Sequence, residues 1–496
     1  MQILPPQFTE NLLRTLAGCP PEVLPALGKL AGELGGQLYF VGGTVRDALL
    51  GRSALDFDLV VPAQARHWAE RLRGELGGGA LVDLCGPDDE TFRVVWRGIQ
   101  FDLAAFRGQA TELAADLRLR DFTINAMALA VDALARPGGA PLIDPLTGLA
   151  DLRKRCLRHC PGAFAADPVR LLRAYRFAAT LDFTVDPATA AEIAAHAPLI
   201  AGVAAERITA ELRLIFASPR TSAALAMLSE AGLLPLLLPE LYRSVGVVQP
   251  EFHHLDVFDH SFLALVMIER VIADPGRYFP GQGKSIKGYL EHPGRIAALK
   301  WAALLHDIGK PPTRAEHPRQ PERITFYRHD TVGSELVAGI ASRLKWSRRE
   351  NVLVGELIAM HMQPFHLCNV QRSGGRLTRK AALKLCRRAK EELTGLFLLA
   401  MADALAGKGE KSPPRMEEEI ARLFGRVEQL NREHIRPVLS GPPLLTGRDL
   451  IENFALQPGP MFAELLDGLA TARVEGRVVD RESALAWVAS ALKKAW

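Results

Sequence analysis

The sequence predicts an α+β chain, a small α/β head followed by a long helical remainder, and three observations carry that prediction. Runs that read as strands cluster before about residue 145. From about Asp151 onward strand signals nearly vanish and apolar residues recur at helical spacing, as in Leu171, Leu172, Tyr175 and Ala178 to Ala179. The third is size: 496 residues, 48% of them hydrophobic and 23% charged, imply about three domains with self-sufficient cores. A disordered chain and a minimal disulfide scaffold are both excluded.

No apolar stretch reaches the ~18 uncharged residues a membrane span needs, and the opening MQILPPQFTE lacks a cationic segment followed by an apolar one. Six cysteines are sparse and irregularly placed, as suits a reducing compartment. The expectation is a soluble, cytoplasmic protein with no membrane partner and an oligomeric state the sequence does not set. Lys+Arg number 60 and Asp+Glu 56, for a formal charge of +4. That total hides an asymmetry, because residues 1–140 carry −4 and the rest +8. A polyanion would therefore be attracted mainly outside the first segment. Nine of the 13 histidines lie between His253 and His366, which suggests a metal site there.

The head begins with QLYFVGGTVRDALLG, a β-branched and aromatic run stopped by Gly42-Gly43 and followed by a helix-like stretch. Such a turn presents free backbone N–H groups and the positive end of a helix dipole to phosphate oxygens, and Arg46 one turn in adds charge. Glycines alone are weak evidence, since turns use them for backbone freedom. Asp56-Phe57-Asp58 strengthens the reading: on a strand both carboxylates share one face and Phe57 the other. Mg²⁺ takes oxygen ligands and bridges carboxylates to phosphates, so the pair suits nucleotidyl transfer. Asp102, in FDLAAF, either supplies a third carboxylate or hydrogen-bonds nearby backbone. Further short apolar segments at Phe92 to Trp96 and Phe101 to Phe106 complete the strands of the head.

GGTVRDALLG, DFDLVV and LRDFTINAMA resemble the class II tRNA nucleotidyltransferase and bacterial poly(A) polymerase family, whose head is similar to that of DNA polymerase β-like nucleotidyltransferases. The resemblance implies that Asp56 and Asp58 hold Mg²⁺ and that Gly42, Gly43 and Arg46 bind the triphosphate. It further implies that Arg120, Asp121, Thr123 and Asn125 contact ribose and phosphates; taken alone, Thr123 and Asn125 would read as helix caps. The family's third motif appears as ADPVRLLRAYRFAATLDF. Asp167 and Arg170 stand three apart, and on a helix would share a face and address one base edge together, with Arg173 and Arg176 following in the nucleotide site. An accepting Asp beside a donating Arg admits C and A and rejects U and G. An ordinary surface ion pair is the alternative.

Three departures stand out. Ala166 replaces the Glu that the family usually carries before this Asp. Only GQATELAADLRL separates Phe106-Arg107 from Arg120, a shortening that resembles the enzymes that add CC and leave the final A to a partner. Leu119 replaces an Arg.

A second pattern runs through HHLDVFDHSFLAL, WAALLHDIGK, FYRHD, MHMQPF and MADALAG. Imidazole and carboxylate donors suit Mn, Fe, Ni or Zn, and an adjacent His-Asp pair can bridge two ions. The pattern is similar to the HD-domain metal phosphohydrolases. The resemblance implies His260, His306, Asp307 and Asp403 as core ligands, with His329 and His361 resembling the extra ligands of two-metal members, and hydrolysis of a phosphate ester. Lys310 either holds phosphate or faces solvent. His253, His254, His292, His317 and His366 fall outside the pattern and read as surface or packing residues. Cys156-Leu-Arg-His-Cys160 reads as a basic helix or loop with incidental thiols.

Lys380, Lys384 and Arg388 recur every fourth residue in a cationic stretch that runs from Arg372 to Lys390, so they line one helix face suited to tracking RNA phosphates. Arg153, Lys154, Arg155 and Arg158 form a smaller patch. The expected architecture is a polymerase β-like nucleotidyltransferase head over 1–145, an all-helical neck over 146–240, an HD-type body over 241–410 and a helical RNA-binding tail over 411–496. The expected function is addition of CC, or all of CCA, to the tRNA 3′ end from CTP and ATP, with an HD phosphohydrolase activity. The competing readings are a poly(A) polymerase or A-adding enzyme, and an HD hydrolase with a non-catalytic nucleotide-binding head.

Overall fold

Strand alternation in the head is visible residue by residue. In the computed structural model, which describes residues 2–3, 12, 14, 19–52, 56–84, 90–135, 141–250 and 252–495, Phe92, Val94 and Trp96 point inward while Thr91, Arg93 and Val95 stand further out. The opening MQILPPQFTE lies almost wholly outside the described residues. The chain divides into two compact units, residues 1–215 with 223–236, and residues 216–222 with 237–496.

The first unit is built on a six-stranded sheet of β1 (Tyr39–Val41), β2 (Asp56–Val61), β3 (Ala80–Asp83), β4 (Thr91–Trp96), β5 (Ile99–Ala105) and β6 (Ala128–Ala130), in the order β3-β4-β5-β2-β1-β6. Within this sheet only β2 and β5 pair in parallel, with Asp58 opposite Asp102; their connection crosses over through the helix Ala65–Glu75 and the β3-β4 ribbon. Arg97 and Gly98, both at positive φ, form the two-residue hairpin between β4 and β5, as its twist requires. Phe57 and Phe101 stack at 5.4 Å between centroids beneath the carboxylate face. Helix α1 (Gly42–Leu49) begins directly at the end of β1. Beyond the sheet come α2 (Leu113–Arg118), α3 (Arg170–Leu181) and α4 (Ala205–Ala217). The Cys156-to-Cys160 segment is extended, not helical: Cys156 and Leu157 pair with Thr184 and Val185, and Cys160 is buried.

The second unit is helical around two nearly enclosed rods, α6 (Arg295–Leu305) and α9 (Leu393–Ala406). Their sequences are apolar almost all round, the mark of a helix surrounded by others. Helix α5 (Val257–Ala273) packs on both, and α8 (Arg348–Met360) on both and on α7 (His329–Arg343). The helical expectation missed two strand pairs, the Cys156–Leu157 and Thr184–Val185 pairing within the expected all-helical neck and, here, Ala315–His317 with Gln320–Thr325, an antiparallel hairpin just ahead of α7. Helix α10 (Arg379–Ala389) buries Ala382, Leu383, Leu385 and Cys386. The last three helices, Gly447–Phe454, Pro460–Val474 and Arg481–Ala495, close around Leu450, Leu465, Leu469, Ala484 and Val488. Among the described residues no helix is long and apolar enough to cross a membrane.

Candidate active site and candidate metal centre

In the first unit the glycine pair packs against the carboxylates. Gly42 has φ +60, and a Cβ there would lie 2.9 Å from Arg120 Nη1 and 3.3 Å from Asp58 Oδ2. The Gly43 amide donates to Asp58 Oδ2 at 3.0 Å, and the Asp58 amide donates to Thr44 Oγ1 at 2.7 Å. Asp56 is exposed and Asp58 half-buried, with Phe57 inside. Burial pushes the Asp58 carboxyl up, and neighbouring Asp102 adds to the effect against the pull of Arg120. A carboxylate destabilised in this way fits a divalent cation, which would restore the charged form. Asp102 takes both arms of Arg93, at 2.7 and 2.8 Å, so its partner is a guanidinium and not backbone.

The second and third motifs fold into one buried polar network. Arg46 is not a free guanidinium waiting for phosphate: it clasps Asp47, donates to Asn125 Oδ1 at 2.8 Å, and lies 5.0 Å from the Phe177 ring centroid. Asn125 donates to Asp121 Oδ1 at 3.0 Å, and Asp121 pairs with Arg173 at 3.0 Å. Against the upward push of burial, Arg173 and Asn125 hold the Asp121 carboxyl at about 2. Thr123 donates to Asp151 at 2.7 Å. Thr123 and Asn125 therefore cap no helix; they belong to this network. Arg120 is buried, its pKa lowered to about 10 by desolvation and by Arg107.

Asp167 does not share a helix with Arg170. It sits in extended conformation just before α3, because the Pro168 that follows disfavours helical backbone at the preceding residue. Arg170 still reaches back, its Nε 3.9 Å from Asp167 Oδ2, while its Nη1 donates to the carbonyls of Leu119, Arg120 and Ala163. Two residues of α4 that sequence reasoning missed complete the arrangement. Arg207 pairs with Asp167 at 2.7 Å. Glu211 takes Arg176 at 2.6 Å and lies 3.9 Å from Arg173. Both are charged positions on an amphipathic helix, and their spacing alone marks no site.

Asp116, also missed, is fully buried on α2 and accepts from the Arg107 amide at 2.9 Å, from Arg107 Nη1 at 3.1 Å and from Arg120 Nη2 at 3.4 Å. It thereby pins the short segment between β5 and the second motif. Of the smaller basic patch, Arg158 is paired with Asp151 and Asp186, and Arg155 with Asp182.

In the second unit the histidines and aspartates converge. His260 comes from α5, Asp403 from α9, His306 and Asp307 from the end of α6, His361 from the end of α8, and His329 from the start of α7. His260, His306 and Asp307 form one group of donors, and Asp307, His329 and His361 another, so Asp307 belongs to both. Nε2 atoms stand 3.2 Å apart in the pairs His260–His306 and His329–His361. His260 Nε2 lies 3.1 Å from Asp403 Oδ1, and His329 Nε2 3.5 Å from Asp307 Oδ1. Three of the imidazoles are oriented identically: Nδ1 of His306, His329 and His361 donates to the carbonyl three residues earlier, of Ala303, Phe326 and Ile358, at 2.7–2.9 Å. A carbonyl only accepts, so Nδ1 is the nitrogen that carries the fixed N–H and Nε2 the one turned inward, the orientation a metal ligand needs.

Burial pushes His361 down to about 3 and lowers His329. Against the same burial, Asp307 and Asp403 raise His306 to about 9, and neighbouring histidines hold the carboxyl of Asp403 well down. Asp307 Oδ1 is buried without a hydrogen-bond partner among the described residues. Converging lone pairs and carboxylates of this kind fit divalent ions of the imidazole-binding class. Gly309 lets α7 come close, since a Cβ there would lie 2.1 Å from the His329 carbonyl oxygen.

Lys310 does not face solvent. Its ammonium is buried between Asp307 Oδ2 and Gln249 Oε1, 2.6 Å from each. His253 is not a surface residue either; its ring lies 4.5 Å from that of His260, and burial pushes its pKa down to about 3. A cavity of about 580 Å³ opens from Asp307 and His361 past His253 and Lys310 to Phe326, Tyr327 and Arg372. Lys380, Lys384 and Arg388 lie exposed on one face of α10, whereas Arg372, Arg379 and Arg387 turn to Glu419, His434 and Asp467.

Residues 38–158 match the poly A polymerase head domain, residues 182–244 the probable RNA and SrmB-binding site of polymerase A, and residues 257–406 the HD domain. The chain is 44% identical over 481 residues to the CC-adding tRNA nucleotidyltransferase of Geobacter sulfurreducens, covering 94% of this chain and 95% of that one. It is 34% identical over 461 residues to the A-adding tRNA nucleotidyltransferase of Deinococcus radiodurans, covering 90% and 94%. Among solved structures, the CCA-adding enzyme of Thermotoga maritima complexed with tRNA is similar with a TM-score of 0.62 and 21% identity, over 99% of this chain and 100% of that one. This chain therefore belongs to the tRNA nucleotidyltransferase and poly(A) polymerase family, in the form that also carries an HD domain.

Proposed function

We propose that the chain adds CC to the 3′ end of tRNA and that a second, metal-dependent site hydrolyses a phosphate ester. The observation that carries the transferase reading is the Asp58 carboxylate, strained by burial beside the Gly42-Gly43 amides and paired across the sheet with Asp102. Asp56 and Asp58 are the residues to hold Mg²⁺, which when bound supplies Lewis-acid stabilisation of the phosphoryl oxygens. The Gly42-Gly43 turn at the start of α1 receives triphosphate oxygens. The tRNA 3′-oxygen bonds to the α-phosphorus of CTP, the bond to the bridging oxygen breaks, pyrophosphate leaves, and the hydroxyl proton goes to solvent. Asp167 and Arg170 read the base, with Arg173 and Arg176 beside them. Arg120, Asp121, Thr123 and Asn125 shape the floor of the nucleotide pocket.

The CC restriction is supported by the short segment 107–120 clamped on Asp116 and by the CC-adding relative from Geobacter sulfurreducens. In the HD centre, His260, His306, Asp307, His329, His361 and Asp403 would hold Mn, Fe, Ni or Zn, and Lys310 would meet the phosphate. We further assign residues 1–145 to the head, 146–240 to the neck, 241–410 to the HD body and 411–496 to the tail, with Lys380, Lys384 and Arg388 on RNA phosphates. Cys156, Cys160, Cys368 and Cys386 are free thiols, three of them buried, which suits a cytoplasmic setting.

The test is extension of tRNA lacking CCA with each labelled triphosphate separately and together. Addition stopping after two C residues supports the proposal. Completion of CCA, addition of A alone to tRNA ending in CC, or long A tails would each replace it with the corresponding family activity.

A further inference from the structure

Arg328 holds a backbone conformation that costs an arginine free energy. It lies in the left-handed region, with φ 64 and ψ 18, where a Cβ is crowded and glycine sits at ease. Its side chain makes no capping bond to α7, which starts at the next residue. Neither Arg328 nor Arg323 has a side-chain partner among the described residues. Strain of this sort persists only where the surroundings enforce it, and it gathers where ligands bind.

The surroundings here do enforce it. His329 Nδ1 donates to the Phe326 carbonyl at 2.8 Å, and the Thr325 hydroxyl donates to the Ala315 carbonyl at 3.2 Å. Residues 325–329 are thus tied to the hairpin at one end and to the His-Asp cluster at the other. Both arginines line the cavity of about 580 Å³ that opens from Asp307 and His361. Other charged groups on its wall have partners. Lys310 stands between Asp307 and Gln249, Arg372 on Glu419 and Asp403 on His260. The Asp330 carboxylate accepts from the Thr331 amide and hydroxyl. Tyr327, 65% exposed, and Phe365 line the same cavity.

We propose that the cavity takes a nucleoside bearing two separate phosphates, the first at the His-Asp cluster and Lys310, the second held by Arg328 with Arg323, and the base against Tyr327 and Phe365. A pocket of this volume suits one ligand of nucleotide size, and a guanidinium fork suits a phosphate. Consecutive Cα atoms stand about 3.8 Å apart, so the residue before His329 can reach a second phosphate on a molecule whose first lies at the cluster. The proposal rests on the phosphohydrolase reading for the fate of that first phosphate. There a water oxygen bonds to phosphorus, the P–O ester bond breaks, and the departing alcohol oxygen takes a proton from the water. Inorganic phosphate and a nucleoside monophosphate leave.

The experiment is calorimetric titration of the full chain in chelator, where nothing is hydrolysed, with adenosine 3′,5′-bisphosphate, adenosine 3′-monophosphate and fructose 1,6-bisphosphate. The nucleoside bisphosphate should bind about tenfold or more tightly than either of the others, the scale of one charge-assisted contact. Two variants separate the guanidinium from the backbone: Arg328→Gln removes the charge and keeps the left-handed strain, and Arg328→Gly removes both. Each should bring bisphosphate affinity down to that of the monophosphate and leave monophosphate binding nearly unchanged. Arg328→Gly should melt no lower than wild type, since it relieves the strain. Undiminished bisphosphate binding in the variants would overturn the proposal and assign the binding to the nucleotidyltransferase head. So would a loss confined to Arg328→Gly, or losses accompanied by a lower melting temperature in both variants, which would mean a structural role. Equal affinity for fructose 1,6-bisphosphate would overturn the nucleoside assignment. With Mn²⁺ then added, absence of phosphate release beside intact Arg328-dependent binding would remove the hydrolase reading and leave the bisphosphate site standing.

Discussion

Asp58 and Asp102 stand directly opposite each other in the parallel pairing of β2 and β5, and only Asp102 is clasped by an arginine. Burial pushes the Asp58 carboxyl up and neighbouring Asp102 adds to the effect, which gives the first prediction. Asp58→Asn should lower CMP incorporation by about a hundredfold or more, because Lewis-acid stabilisation of a phosphoryl transition state is worth several kcal/mol. The same change should leave the melting temperature level or raise it, since it removes a buried charge. Labelled-CTP incorporation read beside a thermal melt tests both; a large fall in melting temperature would argue that Asp58 is structural.

Glu211 is the carboxylate on Arg176, and Ala166 offers none. Glu211→Gln should therefore loosen the guanidinium row, raise KM for CTP several-fold and admit UTP measurably, with kcat less affected. Competition between labelled CTP and UTP is the measurement. An unchanged discrimination ratio would leave Glu211 with no part in reading the base.

Asp116 offsets two guanidiniums from a wholly buried position. Asp116→Asn should cost about 3 kcal/mol in urea denaturation, the scale for removing one partner of a buried ion pair. It should also make the segment 107–113 a new site of limited proteolysis. Protection equal to wild type would show that Arg107 and Arg120 are anchored by other means.

Acid sensitivity should reside partly in Asp121. Its folded pKa of about 2 lies below the ordinary carboxyl value of 3.8, so its contribution is fully present above about pH 4 and is lost as pH falls toward 2. The difference corresponds to about 2 kcal/mol. Asp121→Asn should flatten stability between pH 4 and 2 while lowering it at neutral pH. An unchanged slope in urea titrations across that window would refute the assignment.

Ion binding to the His-Asp cluster should stabilise the second unit. With metal at a hundred times its Kd the gain is about 2.7 kcal/mol, so a chelator should lower the melting temperature of the wild-type chain. Asp307→Asn should make the melt indifferent to chelator, because Asp307 belongs to both donor groups. A chelator effect that persists in this variant would place the stabilising ion elsewhere.

Much of this arrangement is legible in the sequence. Alternation put Phe57 inside and its two aspartates outside, and the Gly42-Gly43 turn marked the end of β1. The His-Asp pattern named donors that do converge, though they come from five separate helical segments. What was illegible was pairing across distance. Arg46 reads as a free cation until Asn125, 79 residues away, is seen to bind it. The sequence leaves Lys310 open between phosphate and solvent, and His253 between surface and packing, because burial depends on which loop folds over them. The hairpin at 315–325 was hidden because HPRQPERITF mixes proline and charge with a short apolar run, and a two-stranded ribbon needs little sequence signal. The spacing of Asp167 to Arg170 suggests a shared helix, whereas Pro168 ends that continuity.

Arg207 and Glu211 sit one helical turn apart on α4, and from there they grip Asp167, Arg173 and Arg176. The segment proposed to read the base is thus scaffolded by a helix some forty residues downstream. Chimeras built with CCA-adding or A-adding relatives would have to graft 163–176 and 205–217 as one cassette. A junction placed between them would combine one enzyme's reading residues with another's supports, and the hybrid's nucleotide preference would then report the mismatch and not the donor.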